Sequence, residues 1–342
     1  MSAKAGPLPP AERHARAAAG AFGDAGRADG ATTRPSGYDV GPRPEPVHGG
    51  ATPTGVEQDD AAGHDAARRE AACFDIELEL LLEGVFRHYQ HDFRHYARAS
   101  LKRRIGAAMD RFGCRTISQL QDRVLHEPAV FTDMLQYFTV QVSEMFRDPS
   151  YFDSLREQVI PELRTYPSIK VWVAGCSTGE ELWSLAILFH EEDLLSRTIF
   201  YATDINPGSL RHAAQGIYPL DRMAAFSRNY LAAGGKRSLS DYYTTAYDAA
   251  IVDSALKAQV VFADHSLATD SVFSEVHLVS CRNVLIYFDK TLQNRAVGLF
   301  REALVHRGFL GIGMKESLAS SAHASAFAEH VGRDRIYVKV VP

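Results

Sequence analysis

The sequence predicts an α/β protein: a doubly wound, mostly parallel sheet carrying an inserted small subdomain, preceded by a small all-helical domain. Three observations predict it. Short apolar runs alternate with helical patterns over the second half of the chain, the signature of a sheet covered on both faces. One of those runs, Lys170-Val171-Trp172-Val173-Ala174, leads straight into a glycine turn and two acids, Gly175 to Glu181. The region from Phe74 onward instead repeats apolar residues at helical spacing only.

Residues 1–70 are rich in Ala, Gly, Pro, Asp and Arg and poor in large apolar side chains, so they read as a disordered tail that cannot offset its ordering entropy. A helical domain follows over 71–152. Ile76, Leu78, Leu80, Leu81, Leu82 and Val85 form a dense apolar face, continued by Tyr89, Phe93, Tyr96, Leu101 and Ile105. Ile117–Leu120 and Phe131–Phe138 mark two further helices, with Pro128 near a helix start, where its missing N–H costs little. Residues 153–168 read as a connecting helix and linker, and 169–342 as the α/β domain.

Strands are expected at 170–174, 198–203, 259–263, 277–281, 308–313 and 335–341. Helices are expected at 180–192, 207–215, 290–305 and 322–330. The stretch 218–258, with Gly234-Gly235 and Tyr242-Tyr243, breaks this rhythm and reads as the inserted subdomain with short antiparallel strands.

Composition narrows the function. The 342 residues carry a formal net charge of −5, which argues against a nucleic-acid partner. No apolar stretch reaches the roughly 20 residues of a membrane span, and the N-terminus has no secretory apolar core, so a cytoplasmic protein without membrane insertion is expected. Cys73, Cys114, Cys176 and Cys281 match no zinc or redox spacing, so free thiols and no metal are expected.

The glycine turn lacks the Gly-Lys-Ser/Thr of a phosphate loop and the three spaced glycines of a dinucleotide site. Acids stand where a pyrophosphate would sit, which favours a ligand with positive charge and free hydroxyls. Ligands of such folds bind at the carboxyl ends of the strands. Four segments meet there: the glycine loop with Glu181, Ala202–Asn206 with Asp204, Phe262–Leu267, and Ser280–Phe288. Each has a plainer reading. Asp204 suits a helix cap, Arg282 a surface ion pair, Tyr287 a core position, and His265 a structural role.

Taken in order, these segments resemble the chemoreceptor glutamate O-methyltransferases of bacterial chemotaxis (the CheR type). The resemblance runs from about Asp75 to Val341. It rests on AGCSTGEE at Ala174–Glu181, ATDIN at Ala202–Asn206, CRNVLIYFD at Cys281–Asp289, KESL at Lys315–Leu318 and VSEMFRDPSYF at Val142–Phe152. It implies S-adenosylmethionine as methyl donor, S-adenosylhomocysteine as product and a receptor's cytoplasmic glutamates as acceptors in signalling adaptation.

By position it implies donor contacts from Gln141, Ser143, Arg147, Glu181, Asp204, Ser266, Leu267, Arg282 and Asn283, with Arg147 and Tyr287 at the reacting end. The chain departs from the family pattern in several places. Gln141 and Ser143 replace Asn and Thr but keep an amide and a hydroxyl. Ser266 replaces Asn, Leu182-Trp183 replaces Pro-Tyr, and Gly313-Met314-Lys315 replaces a Gly-His-Ser-like tract.

Arg94, Arg98 and Lys102 recur at i, i+4 and i+8, thickened by Arg87, Arg103 and Arg104. This basic face is expected to dock an acidic receptor helix, the alternative being a solvated surface. A monomer is expected. Two other functions fit the same residues: a donor-binding module without turnover, and the same chemistry on a sensory protein outside chemotaxis.

Overall fold

The computed structural model describes residues 56–139 and 143–341, with side chains from Arg68 onward. The tail expected over 1–70 lies outside the described residues as far as residue 55. Its last part is corrected: helix α1 spans Val56–Tyr89. The alanines that made 56–70 look empty of core material are also the strongest helix formers.

Helices α2 (Arg98–Phe112), α3 (Ile117–His126) and α4 (Pro128–Phe138) complete the helical domain. Gly113, in the left-handed region at φ +67°, closes α2. The Thr116 hydroxyl accepts the Gln119 N–H to start α3. Pro128 stands in the first turn of α4, as expected. Leu78, Leu81, Leu82 and Val85 of α1 bury against Leu101 and Ile105 of α2, Leu120 of α3 and Met134 of α4.

The connection is a continuous helical rod of α5 (Pro149–Ser154), a π turn (Leu155–Val159) and α6 (Ile160–Leu163). Pro161 has no N–H to donate four residues back, and the wide turn sits just ahead of it.

The α/β domain follows as β1 (Ile169–Ala174), α7 (Glu180–Glu191), β2 (Thr198–Asp204) and α8 (Pro207–Gln215). The insertion holds β3 (Ile217–Pro219), α9 (Met223–Ala232), β4 (Tyr243–Ala246), β5 (Ala249–Val252) and α10 (Ser254–Lys257). The chain returns through β6 (Val260–Asp264), β7 (Val276–Cys281), α11 (Lys290–Ala303), β8 (Leu304–Ile312), β9 (Phe327–Val331) and β10 (Ile336–Lys339).

The seven-stranded sheet runs β6-β2-β1-β7-β8-β10-β9. The first five strands are mutually parallel, and β10 pairs antiparallel with both β8 and β9. From Val171 to Ala174, β1 is apolar on both faces because each face enters a core. Val171 and Val173 enter one core with Trp183 of α7, and Trp172 and Ala174 enter the other with Phe300 of α11.

One expectation is corrected. Residues 322–330 are a short 3-10 turn followed by β9, not a helix. In the insertion, Gly234-Gly235 closes α9. Gly234 (φ +71°) leads out of α9, and any Cβ on Gly235 would lie 2.3 Å from a Tyr230 ring carbon. The hairpin between β4 and β5 turns at Tyr247, left-handed and wholly exposed.

Candidate active site

The glycine loop after β1 reads the end of β2. Gly175 and Cys176 donate N–H groups to the Thr203 carbonyl, at 2.8 and 2.9 Å. Both loop glycines are obligatory. Gly175 is at φ +72°, and a Cβ there would meet Val284 at 2.6 Å. Gly179 opens α7 at φ +94°, and a Cβ there would lie 2.9 Å from the Ala213 side chain.

The loop delivers the Ser177 N–H to one oxygen of Asp204 (2.9 Å), and Asn206 N–H takes the other (2.9 Å). Burial pushes the Asp204 carboxyl above the usual aspartate range, and Asp264 adds to it. Capping of α8 falls to Asn206, whose side chain accepts from Gly208 and Ser209.

Glu181, in the first turn of α7, accepts from the Ser280 hydroxyl (2.7 Å) and from Arg282 (3.2 Å). Arg282 is a buried hub rather than a surface ion pair. It also donates to Asp148 (2.8 Å) and to the Arg147 carbonyl (2.9 Å), with its guanidinium 4.1 Å from the centre of the Tyr151 ring. It thereby ties the segment between the domains to both strand ends.

The loop after β7 is shaped by Glu316, which the sequence reading did not single out. This buried carboxylate accepts N–H groups of Asn283 (3.0 Å), Ile286 (3.1 Å) and Gly313 (2.6 Å), and burial raises its pKa. The only sequence signal was its place in KESL. Asn283 itself is left-handed, at φ +61°.

The helical domain closes the other side. Ala97 N–H donates to the Tyr287 carbonyl (2.8 Å), Asp289 N–H donates to the His95 carbonyl (2.8 Å), and Tyr96 bridges Phe288. Arg104, counted with the basic face, is buried. It donates to the Phe138 carbonyl (2.6 Å) and lies 4.7 Å over the Tyr287 ring.

These parts line one cleft that opens to solvent. Of the residues expected, Ser143, Arg147, Glu181, Asp204, Leu267, Arg282, Asn283 and Tyr287 line it. Cys176, Ser177 and His265, from segments expected at the site but given no contact there, also line it, and so do Tyr96 and Thr139 of the helical domain, which had not been assigned there. Ser266 is not among the lining residues: its hydroxyl accepts the Ala268 N–H, and its own N–H goes to Asp270. Gln141 lies outside the described residues.

The cations of the expected docking face are paired within the chain. Arg94 precedes α2 and pairs with Glu83 and Asp92, Arg98 pairs with Glu79, and Lys102 pairs with Asp75. Asp75, Glu79 and Glu83 repeat every four residues on α1, where Lys102 and Arg98 of α2 and Arg94 from the segment before it pair with them. A sequence window confined to 94–102 could not show that partner.

The chain matches two family models in sequence. Residues 141–331 match the CheR methyltransferase SAM-binding domain, and residues 76–139 the CheR methyltransferase all-alpha domain. The Cher3 protein of Pseudomonas putida is 59% identical over 265 residues, covering 78% of this chain and 97% of that one. A chemotaxis protein methyltransferase of Listeria monocytogenes is 28% identical over 68% of this chain and 86% of its own length. Chemotaxis protein methyltransferase 2 of Pseudomonas aeruginosa is 30% identical over 62% of this chain and 74% of its own.

Proposed function

This chain belongs to the CheR methyltransferase family, and we propose that it transfers the methyl group of S-adenosylmethionine to glutamate side chains on a chemoreceptor's cytoplasmic helices. The observation that carries the proposal is Asp204. It is a buried carboxylate on the cleft wall held by backbone N–H groups, with no Lys or Arg among its partners within the described residues. A cationic ligand with a hydroxyl pair fits that place, because each oxygen keeps a lone pair for a diol hydroxyl. The donor set fits the family's cofactor, whereas no lysine or glycine-rich cradle is present for a polyphosphate.

S-adenosylmethionine, when bound, supplies an electrophilic methyl group on a sulfonium centre. Asp204 would hold the ribose hydroxyls. Arg147 would pair with the donor's terminal carboxylate, a task suited to a guanidinium fork. Glu181, already steadied by Ser280 and Arg282, would face the donor's ammonium end. Tyr287, held from behind by Arg104 and through its carbonyl by Ala97, would orient the incoming glutamate.

No residue has to remove a proton, because a glutamate with a pKa of about 4.3 is already ionised at neutral pH. The protein's share is alignment in a water-poor cleft, and alignment of this kind is worth roughly 7–11 kcal/mol.

Incubation with methyl-labelled donor and receptor cytoplasmic fragments tests the assignment. Alkali-labile label on glutamate is expected. Donor binding with no transfer to any fragment would make the chain a binding module instead.

A further inference from the structure

The parallel ladder of β7 and β8 ends with Cys281 beside Ile312. Just past that end, the main chains of Asn283 and Gly313 still have N–H groups to place. Both donate to one atom, Oε2 of Glu316, at 3.0 and 2.6 Å. The other oxygen, Oε1, accepts from Ile286 at 3.1 Å. One buried carboxylate thus finishes what the ladder leaves open, with its two oxygens on different tasks.

Asn283 lines the cleft and leads into the 3-10 turn Leu285–Tyr287. In that turn Leu285 is buried, whereas Ile286 is 40% exposed, so Ile286 is held by its N–H rather than by its side chain. The next residue is Tyr287, whose carbonyl is fixed by Ala97. Oε1 and Ala97 therefore grip the main chain on either side of the Tyr287 Cα.

We propose that Glu316 is a positioning residue for methyl transfer, whose Oε2 sets the donor side of the cleft through Asn283 and whose Oε1 sets the acceptor side through the turn that carries Tyr287. What those two residues do rests on the methyl-transfer reading above; the clamp itself does not.

The chemistry of an amide separates the two tasks. In Glu316→Gln a single acceptor oxygen remains, and the NH2 group can only donate. With the oxygen turned to Asn283 and Gly313, two bonds survive and the NH2 faces the Ile286 N–H. The reverse orientation loses two bonds to keep one. The substitution therefore releases the Tyr287 turn and spares Asn283.

Transfer to receptor fragments should show kcat lowered about tenfold or more, while S-adenosylhomocysteine affinity in calorimetry stays within about threefold of the parent. In a Tyr287→Phe background the same substitution should cost less than about twofold, because its effect runs through that tyrosine. An unchanged kcat overturns the proposal, and so does an equal loss in both backgrounds.

Amide hydrogen exchange reads the clamp without turnover. Exchange at Ile286 should accelerate about tenfold or more in Glu316→Gln, with Asn283 and Gly313 as protected as in the parent. An unaltered Ile286 overturns the proposal, whereas a parent chain that methylates no fragment overturns the methyl-transfer reading and leaves the exchange result to decide the clamp. Gly313→Ala attacks the other oxygen, because a Cβ there would lie 2.8 Å from Glu316 Oε2 and from the Asn283 nitrogen. It keeps the proposal open to refutation should Glu316→Gln fail to fold. It should weaken S-adenosylhomocysteine binding by about threefold or more and leave Ile286 protected; unchanged binding overturns the division of tasks.

Discussion

Glu191 and Asp204 are both buried carboxylates of the α/β domain, and burial pushes both pKa values up, yet they end on opposite sides of the ordinary range. At Glu191 the opposing contributions win. The Tyr230 hydroxyl, Arg156 at 2.6 Å, the Lys236 N–H at 3.0 Å and the Tyr242 hydroxyl at 2.9 Å all favour the charged form. At Asp204 only main-chain N–H groups oppose burial, and Asp264 works against them. The first carboxylate is neutralised by the protein and pins the insertion and the helical rod to α7. The second is left with charge unanswered at the cleft wall. Glu191 thus has its cation supplied by the protein, and Asp204, with main-chain N–H groups alone, does not.

The harshest way to break this contrast is Arg156→Met. It strips Glu191 of its only guanidinium and weakens the hold on Glu192, so about 3–5 kcal/mol of stability should be lost in urea unfolding. A loss below about 1 kcal/mol would place the two acids on the same footing.

Asp204→Asn should act the other way. Affinity for S-adenosylhomocysteine in calorimetry should fall about tenfold, roughly 1.4 kcal/mol. The melting temperature should barely move, since removal of a buried charge offsets a lost N–H bond. A drop of several degrees with affinity preserved would make Asp204 structural.

The mildest test is pH. Glu191's pKa is lower in the fold than in the unfolded chain. Its stabilisation is therefore complete above the ordinary glutamate value of about 4.3 and is lost as pH falls through the folded value. Asp204 is raised, so it takes up its proton above the ordinary aspartate value of about 3.9, and doing so does not loosen the fold. Acidification should weaken donor binding first and unfold the protein later. Fluorescence of the buried Trp172 and Trp183 against a parallel binding titration would follow the two events. Coincident midpoints would dissolve the distinction.

Local physics explains what could be read in advance. The parallel strands were visible because burial on both faces makes Val171–Ala174 and its neighbours continuous apolar runs. The glycine loop was visible because positive φ and close approach demand glycine at 175 and 179.

Apart from the start of α1, where local alanine propensity decided, the misses come from partners distant in sequence. Residues 327–331 became a strand because β10 offers an edge, although Ala324–Ala328 suits a helix equally well. Arg98 and Lys102 have Glu79 and Asp75 across from them, about 19 and 27 residues upstream, which a local window does not show. Glu316 owes its role to three N–H groups, two of them about 30 residues upstream. Within the site, Asp204 and the Ser280–Tyr287 tract were legible by position. The Tyr96 and Arg104 side came from a domain whose sequence carries only helical periodicity.

The main-chain stitch between residues 95–97 and 287–289 has a mechanical consequence. A swing of the helical bundle away from the sheet would tear hydrogen bonds on the segment that bears Tyr287. The bundle and that tyrosine therefore travel as one lever.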